Sequence, residues 1–297
     1  MSRRVFPVLL IVLAILAAGA AFAWLHFRGE QPVVAFTPEP APPAADQPAG
    51  QPGTTAMPTM AAPAAAPSAK KPAAAEPVFT PQSGEVLEFS ADVAKVNNVA
   101  TLRLQVGDKT ELHGHDVWHL QAAAHTQSTL RLLFVLDDQF DSYSEAGSFA
   151  SLQYEMRLNE RGQKVDSIQH MSTTGKEPAP PGASIARVVP GTRDPLGLMQ
   201  YLRSVDWPRT PQVHSPVYDG RKLYEVTAKR TGSAQVTVSA GSFSTNAIDV
   251  RVFENGAEMK DAHFTLYLTK DSARMPVLLE AVLPFATARV ELVKHSG

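Results

Sequence analysis

The chain is expected to fold as an all-β domain. It should be a curved antiparallel sheet of about 10–12 strands forming a half-barrel or barrel, with one short helix. Three observations lead there. The C-terminal run His263 to Val293 alternates apolar and polar residues, with Phe264, Leu266 and Leu268 facing one way and Thr265 and Tyr267 the other. The alternation resumes at Val277, Leu279, Ala281 and Leu283, and again at Ala288, Val290 and Leu292, so three strands form a meander whose apolar face needs cover. Turn residues punctuate similar segments upstream, while a helical stripe with a start signal occurs once.

The folded part is preceded by two segments of different character. Arg3 and Arg4 lead an apolar run from Val5 to Phe27. At 1.5 Å per residue such a run covers roughly 34 Å, enough for a bilayer core of about 30 Å. Residues 1–30 therefore read as a cytoplasmic stub and transmembrane anchor, with a signal peptide cut after Ala21-Phe22-Ala23 as the competing reading. The anchor is favoured because Trp24, Leu25 and Phe27 continue the apolar run beyond that site. Arg3 and Arg4 outweigh Arg28, which keeps the amino end cytoplasmic and exports the rest. The expected location is the inner membrane, single-pass, with the C-terminal domain in the periplasm.

Residues 31–80 hold twelve of the 24 prolines, mixed with Ala, Gln, Gly and Thr. Such a composition cannot bury enough apolar surface to offset its ordering entropy, so a disordered Pro/Ala-rich tether is expected. Its reach is about 40 Å as a flexible coil and approaches ~150 Å as polyproline II. The layout is similar to that of TonB-like spacers, although their Pro-Glu and Pro-Lys repeats are missing.

Residues 81–297 form the β-domain. Leu87, Phe89, Ala91 and Val93 give a first strand, Asn97-Asn98 a turn, and Leu102, Leu104 and Val106 a second strand ended by Gly107-Asp108. Val117 to Ala124 reads as a strand and Leu130 to Leu136 as a more buried segment. Asp137 to Tyr143 reads as an acidic, aromatic corner. Leu152 to Leu158 and Lys164 to Met171 flank a hairpin turn, and Thr174 to Val189 is a loop. Asp194 as N-cap and Pro195 at the first position start a helix striped by Leu196, Met199 and Leu202, with Arg203 near its end. This helix is expected to lie across an opening of the sheet. Strands resume around Val217-Tyr218, turn at Asp219-Gly220, run through Leu223 to Val238, turn at Ala240 to Phe243, and continue to the Asn255-Gly256 hairpin.

Three stretches carry a family resemblance: Phe134 to Tyr143, Pro190 to Leu196, and Pro216 to Tyr224. They are followed in order by Ala240 to Phe243, Leu266 to Thr269, Arg274 to Val277 and Leu283 to Phe285. Together they resemble DUF3108, a bacterial envelope family of unknown function, over about Gly84 to Val293. The resemblance implies an exported curved sheet of a Gram-negative bacterium, similar in general shape to the lipoprotein carriers LolA and LolB. The first hairpin departs from it, being polar at Asn97-Asn98 where the family often has Gly and apolar residues. The resemblance supplies no catalytic residues.

Candidate chemistry is sparse. Net charge is −2, which gives no footprint for nucleic acid. The absence of cysteine removes disulfides, thiolate metal sites and nucleophilic Cys. His113, His115, His119 and His125 contain an H-x-H pair, but no third ligand is fixed by spacing, so no metal is expected. Neither a nucleophile elbow nor a phosphate loop is present, so no catalytic residue and no cofactor is assigned. Ligand contact, if any, would fall on Tyr218, Arg221 and Tyr224 around the Asp219-Gly220 turn, and on Asp138 and Tyr143 of the acidic stretch. Hairpin packing and ion pairing are the plainer roles for these five. The expected function is a non-enzymatic, membrane-tethered binding or scaffold protein whose concave sheet takes a lipid or acyl chain, or an envelope protein. The alternatives are an envelope hydrolase using the acidic stretch or the histidines, and a structural spacer.

Overall fold

The computed structural model describes residues 79–297, apart from 94–95, 128–129, 132–134, 161–162, 177–180 and 284–285. The expected anchor and tether lie outside the described residues, except for Phe79 and Thr80. No helix among the described residues is long and apolar enough to cross a membrane.

One sheet contains fourteen strands. They are β1 (Val86–Val93), β2 (Val96–Leu112), β3 (His115–Thr126), β4 (Asp137–Glu145), β5 (Ser151–Glu160), β6 (Gln163–Ser172) and β7 (Ser184–Arg187), then β8 (Gln212–Tyr218), β9 (Leu223–Val238), β10 (Gly241–Glu254), β11 (Ala257–Glu258), β12 (Phe264–Thr269), β13 (Pro276–Leu283) and β14 (Ala286–Ser296). One helix, α1 (Pro195–Ser204), separates β7 from β8. The strand order is β7-β6-β5-β4-β3-β2-β1-β14-β13-β12-β10-β9-β8, with β11 paired to β10. Two meanders thus meet where β1 pairs with β14, at the middle of the sheet. The far edges, β7 and β8, are joined by the chain that carries α1.

That connection explains the helix's position. It packs on β3, β4 and the edge strand β8. Just before it, Thr192 accepts the Ser151 N–H of β5, and Arg193 exchanges backbone hydrogen bonds with Pro216 and Tyr218 of β8. By strand pairing the sheet is open, so the closed barrel is not formed. The Thr192-Arg193 stitch links β5 to the β8 edge across that opening.

Several expectations are corrected by register. Fourteen strands replace ten to twelve, and β6 pairs with β7 in parallel, so the sheet is mixed and the 174–189 loop contains a strand. Gly107-Asp108 does not end the second strand: it forms a bulge, with Val106 opposite Leu120 and Lys109 opposite Trp118. A methyl on Gly107 would lie 3.0 Å from the His119 carbonyl oxygen, a tight approach that favours glycine at the bulge. Asn97-Asn98 lies within β2, whose pairing with β1 reaches back to Val96. Asn98 has φ 54°, and its N–H donates to Asp92 Oδ1. The acidic corner is strand β4 itself. Of the segment Leu130 to Leu136, Leu136 is buried, and no described residue of it belongs to a named strand.

Alternation fills one face of the sheet. Phe89, Leu102, Leu104, Leu120, Phe140 and Tyr154 point inward and meet Leu196, Met199 and Leu202 of the helix in a single apolar core. The long β9–β10 hairpin bends where Thr231 bulges out of register. Its tip folds onto β14, with the Ala240 N–H donating to the Leu292 carbonyl and Val236 and Val238 buried.

Candidate functional site

The Asp219-Gly220 turn carries three of the five expected ligand residues, and it is packed rather than open. Asp219 is buried and its Oδ1 accepts the N–H groups of Arg221 and Lys222, each at 2.8 Å. Burial raises its pKa, and those backbone donors and the Tyr224 hydroxyl partly offset the rise. Gly220 has φ 96°, and a methyl there would sit 2.3 Å from the Met156 terminal carbon. Tyr218 is half-buried, its hydroxyl pushed up to about 12 by burial and by Asp219. Tyr224 is buried and shifted the same way, by burial first and Asp219 second. Arg221 alone of the three is exposed.

Asp138 and Tyr143 lie on opposite faces of β4, as their odd separation dictates. Asp138 is buried inward and accepts the Asn159 N–H at 2.9 Å. It joins Asp219 and Asp194 in acting electrostatically on the wholly buried Tyr154 hydroxyl. Tyr143 is on the outer face, stacked on His119 with ring centroids 4.7 Å apart. The five residues therefore form no single site. Asp138 shares the Tyr154 neighbourhood with the Asp219 turn, while Tyr143 and Arg221 do not.

The outer face holds an ion-pair network. Asp141 receives His119 Nε2 and Gln121, both at 2.8 Å, and Arg157 at 2.9 Å. Burial would raise the Asp141 pKa, but these donors outweigh it and the net shift is downward. Asp137 holds Arg131 in a two-pronged pair at 2.6 Å and also meets His125. That guanidinium, with His125, lowers its carboxyl to about 2. The plainer reading of the acidic stretch, carboxylates paired with nearby cations, is what the geometry shows. His113 sits in a turn at φ 52° against His170, whereas His115 meets Glu145. No group of three or more His, Asp or Glu among the described residues could hold a metal.

Both ends of α1 are capped. At its start Asp194 Oδ1 accepts the N–H groups of Leu196 and Gly197, each at 2.8 Å. At its end Arg274 donates to the carbonyls of Arg203 and Val205, at 3.0 and 2.6 Å. Arg203 grips both Glu85 oxygens at 2.7 Å, donates to Ala273 and Arg274 carbonyls, and lies under the Phe79 ring. Neither buried arginine clamp was identifiable beforehand, because the partners are distant in sequence. Beside it a cleft of about 170 Å³ is lined by Phe79, Gln82, Leu87, Arg203, Met275 and His295 among others.

The fold is similar to that of a β-barrel-like DUF1849 protein from Brucella abortus, at 10% identity and a TM-score of 0.47, over 72% of this chain and 97% of that one. It is also similar to a candidate lipoprotein from Parabacteroides distasonis (11% identity, TM-score 0.36, 74% and 99% covered). A candidate exported protein with a YmcC-like fold from Bacteroides fragilis matches at 10% identity and a TM-score of 0.34, with 75% and 100% covered. No curated protein matches the chain significantly. The model of DUF3108, a protein family of unknown function, matches residues 88–293, and the chain belongs to that family.

Proposed function

We propose that the protein is a non-enzymatic, membrane-tethered module of the Gram-negative envelope that works by contact with another envelope protein. The observation that carries this is the apolar packing of the concave face against α1 among the described residues. The cleft beside Arg203 encloses about 170 Å³ and the space under α1 about 10 Å³. Ligand pockets for apolar molecules of drug size run to roughly 300–1,000 Å³. Phe89, Phe140 and the helix stripe occupy the position a lipid chain would need. That shifts the reading away from a carrier of lipid and towards contact through the outer face and the β7 and β8 edges.

Native mass spectrometry of the full chain in detergent, with organic extraction, tests it. A bare protein mass is expected, and a stoichiometric lipid would sink the reading. A photo-crosslinker placed at Ile185 on β7 or His214 on β8 should give a discrete protein adduct in cells, and silence at both edges would count against contact there.

The His119–Asp141 pair favours a second reading, an envelope hydrolase, since a carboxylate that orients a histidine is how general bases are built. Around that pair the structure places Gln121, Gln139, Arg157 and Tyr143, none of them an activated nucleophile. A His119→Ala chain that folds but loses its cellular function would revive this reading.

A further inference from the structure

The cleft beside Arg203 is too small for a lipid chain, and the chemistry of its walls defines what it can hold. Arg203 is fully buried, and each of its five N–H groups is engaged. Two donate to the Glu85 carboxylate at 2.7 Å each. The others donate to Gln200 Oε1 at 3.2 Å, the Ala273 carbonyl at 2.7 Å and the Arg274 carbonyl at 3.2 Å. The guanidinium has no donor left for an anion, and Glu85 already balances its charge. What it still offers is the face of its plane. The Phe79 ring lies over that face, 4.6 Å from the guanidinium carbon, and is tilted against Phe149 with 6.5 Å between ring centroids. The site thus already holds one aromatic ring, itself buried, from the segment ahead of β1.

Next to that ring the cleft leaves about 170 Å³. An apolar cavity of about 150 Å³ admits benzene, so the space suits one more ring and little else. Phe79, Leu87 and Met275, all buried, form its apolar walls, and the exposed Gln82, His295 and Ser296 stand at its rim. A ring packs favourably against both another ring and a thioether sulfur, and Phe79 and Met275 supply one of each. An entering carboxylate would meet Glu85 and a saturated guanidinium, and an entering ammonium would meet Arg203. We infer that the cleft is a binding site for one neutral aromatic side chain of the envelope protein partner, an assignment that rests on the proposed contact function. The polar rim supplies hydrogen-bonding groups for the backbone that carries such a side chain in.

A titration of the wild-type chain tests the cleft without a partner or a variant. In the full chain, carbon-13-labelled at its methionine methyls and held in detergent, N-acetylphenylalanine amide should shift the Met275 methyl resonance saturably. N-acetylleucine amide should bind about 2- to 12-fold more weakly, the preference that an aromatic pair adds beyond apolar burial. Phenylacetate, which has the ring but carries a negative charge, should also bind more weakly than the phenylalanine amide. A Met275 methyl that does not move, or that responds equally to all three probes, overturns the inference. In cells, a photo-crosslinker at Ser296 on the rim should give a discrete protein adduct. Silence at Ser296 while Ile185 or His214 still crosslinks overturns the cleft assignment and leaves contact with a partner standing. Silence at all three positions sinks both.

Discussion

A methyl added at Gly197 would sit 2.7 Å from the Phe149 carbonyl oxygen and 2.8 and 2.9 Å from the hydroxyl oxygens of Ser144 and Ser151. One of these neighbours is backbone and the others lie in a buried serine row, so none can swing aside cheaply. Gly197→Ala should therefore cost about 1–3 kcal/mol by overpacking, despite alanine's better helix propensity. Calorimetry should show a melting temperature lower by roughly 2–10 °C. Gly232→Ala, where a methyl meets nothing within 4 Å, is the control. Charge at single residues sets a pH dependence of its own. Asp137 is held near 2 by Arg131 and His125, below its unfolded value of about 3.9. Its contribution is thus complete above pH 4 and is lost as the pH falls towards 2. Solvent screening keeps that contribution small, since the Arg131 partner is 40% exposed and Asp137 25%. The melting-temperature gap between wild type and Asp137→Asn should be fully open at pH 6 and narrowed to roughly a third of that at pH 2.5. An equal gap at both values would refute the assignment.

Helix α1 packs on β3, β4 and β8, and its clamp yields a sharper test. Arg203 and Glu85 are 118 residues apart in sequence, and Arg203 and Arg274 are 71 apart. Glu85→Gln leaves a buried guanidinium without its counter-charge, a loss of about 3–5 kcal/mol. Restoring volume alone should not recover it, so Glu85→Met is expected to be equally poor in thermal unfolding. The same distances explain what sequence reading misses. Asp194 and Pro195 announce the helix start because capping chemistry is local, and the buried stripe Leu196, Met199 and Leu202 follows from periodicity. The C-terminal cap comes from Arg274, whose role no spacing rule reveals. Strand β7 is missed for a related reason: four residues in a Pro- and Gly-rich stretch pair in parallel with β6, without an alternation long enough to register. Gly107-Asp108 reads as a break because a bulge and a strand end use the same residue types, and only the partner strand tells them apart. Of the five expected ligand residues, sequence proximity grouped Asp138 with Tyr143, yet strand geometry separates them. As a short edge strand, β7 should also lose amide protection well before β12 to β14 in hydrogen exchange.

At the scale of the molecule, the pairing of β1 with β14 decides how the chain can be rearranged. Leu87 lies opposite His295 and Val93 opposite Ala288, so the first and last strands zip together in the centre of the sheet. A methyl on Gly297 would come within 2.7 Å of the Glu85 backbone, which shows how closely the two ends of the domain abut. Deleting β14 would therefore remove a central strand, exposing the flank of β1 and the core face that Val290 and Leu292 cover, and the remainder should not fold. Joining residue 297 to residue 84 by a short glycine linker and opening the chain at Asn255-Gly256 keeps every strand pair except the two-residue β11 contact. Surface turns of that kind accept new termini best. The permutant should regain the far-ultraviolet spectrum and cooperative melting of the parent domain. It should also fold faster, since the β1·β14 pairing becomes local and less loop entropy is lost before it forms. A permutant that stays unfolded, or folds no faster, would mean that β1·β14 pairing is not the long-range step that organises the sheet.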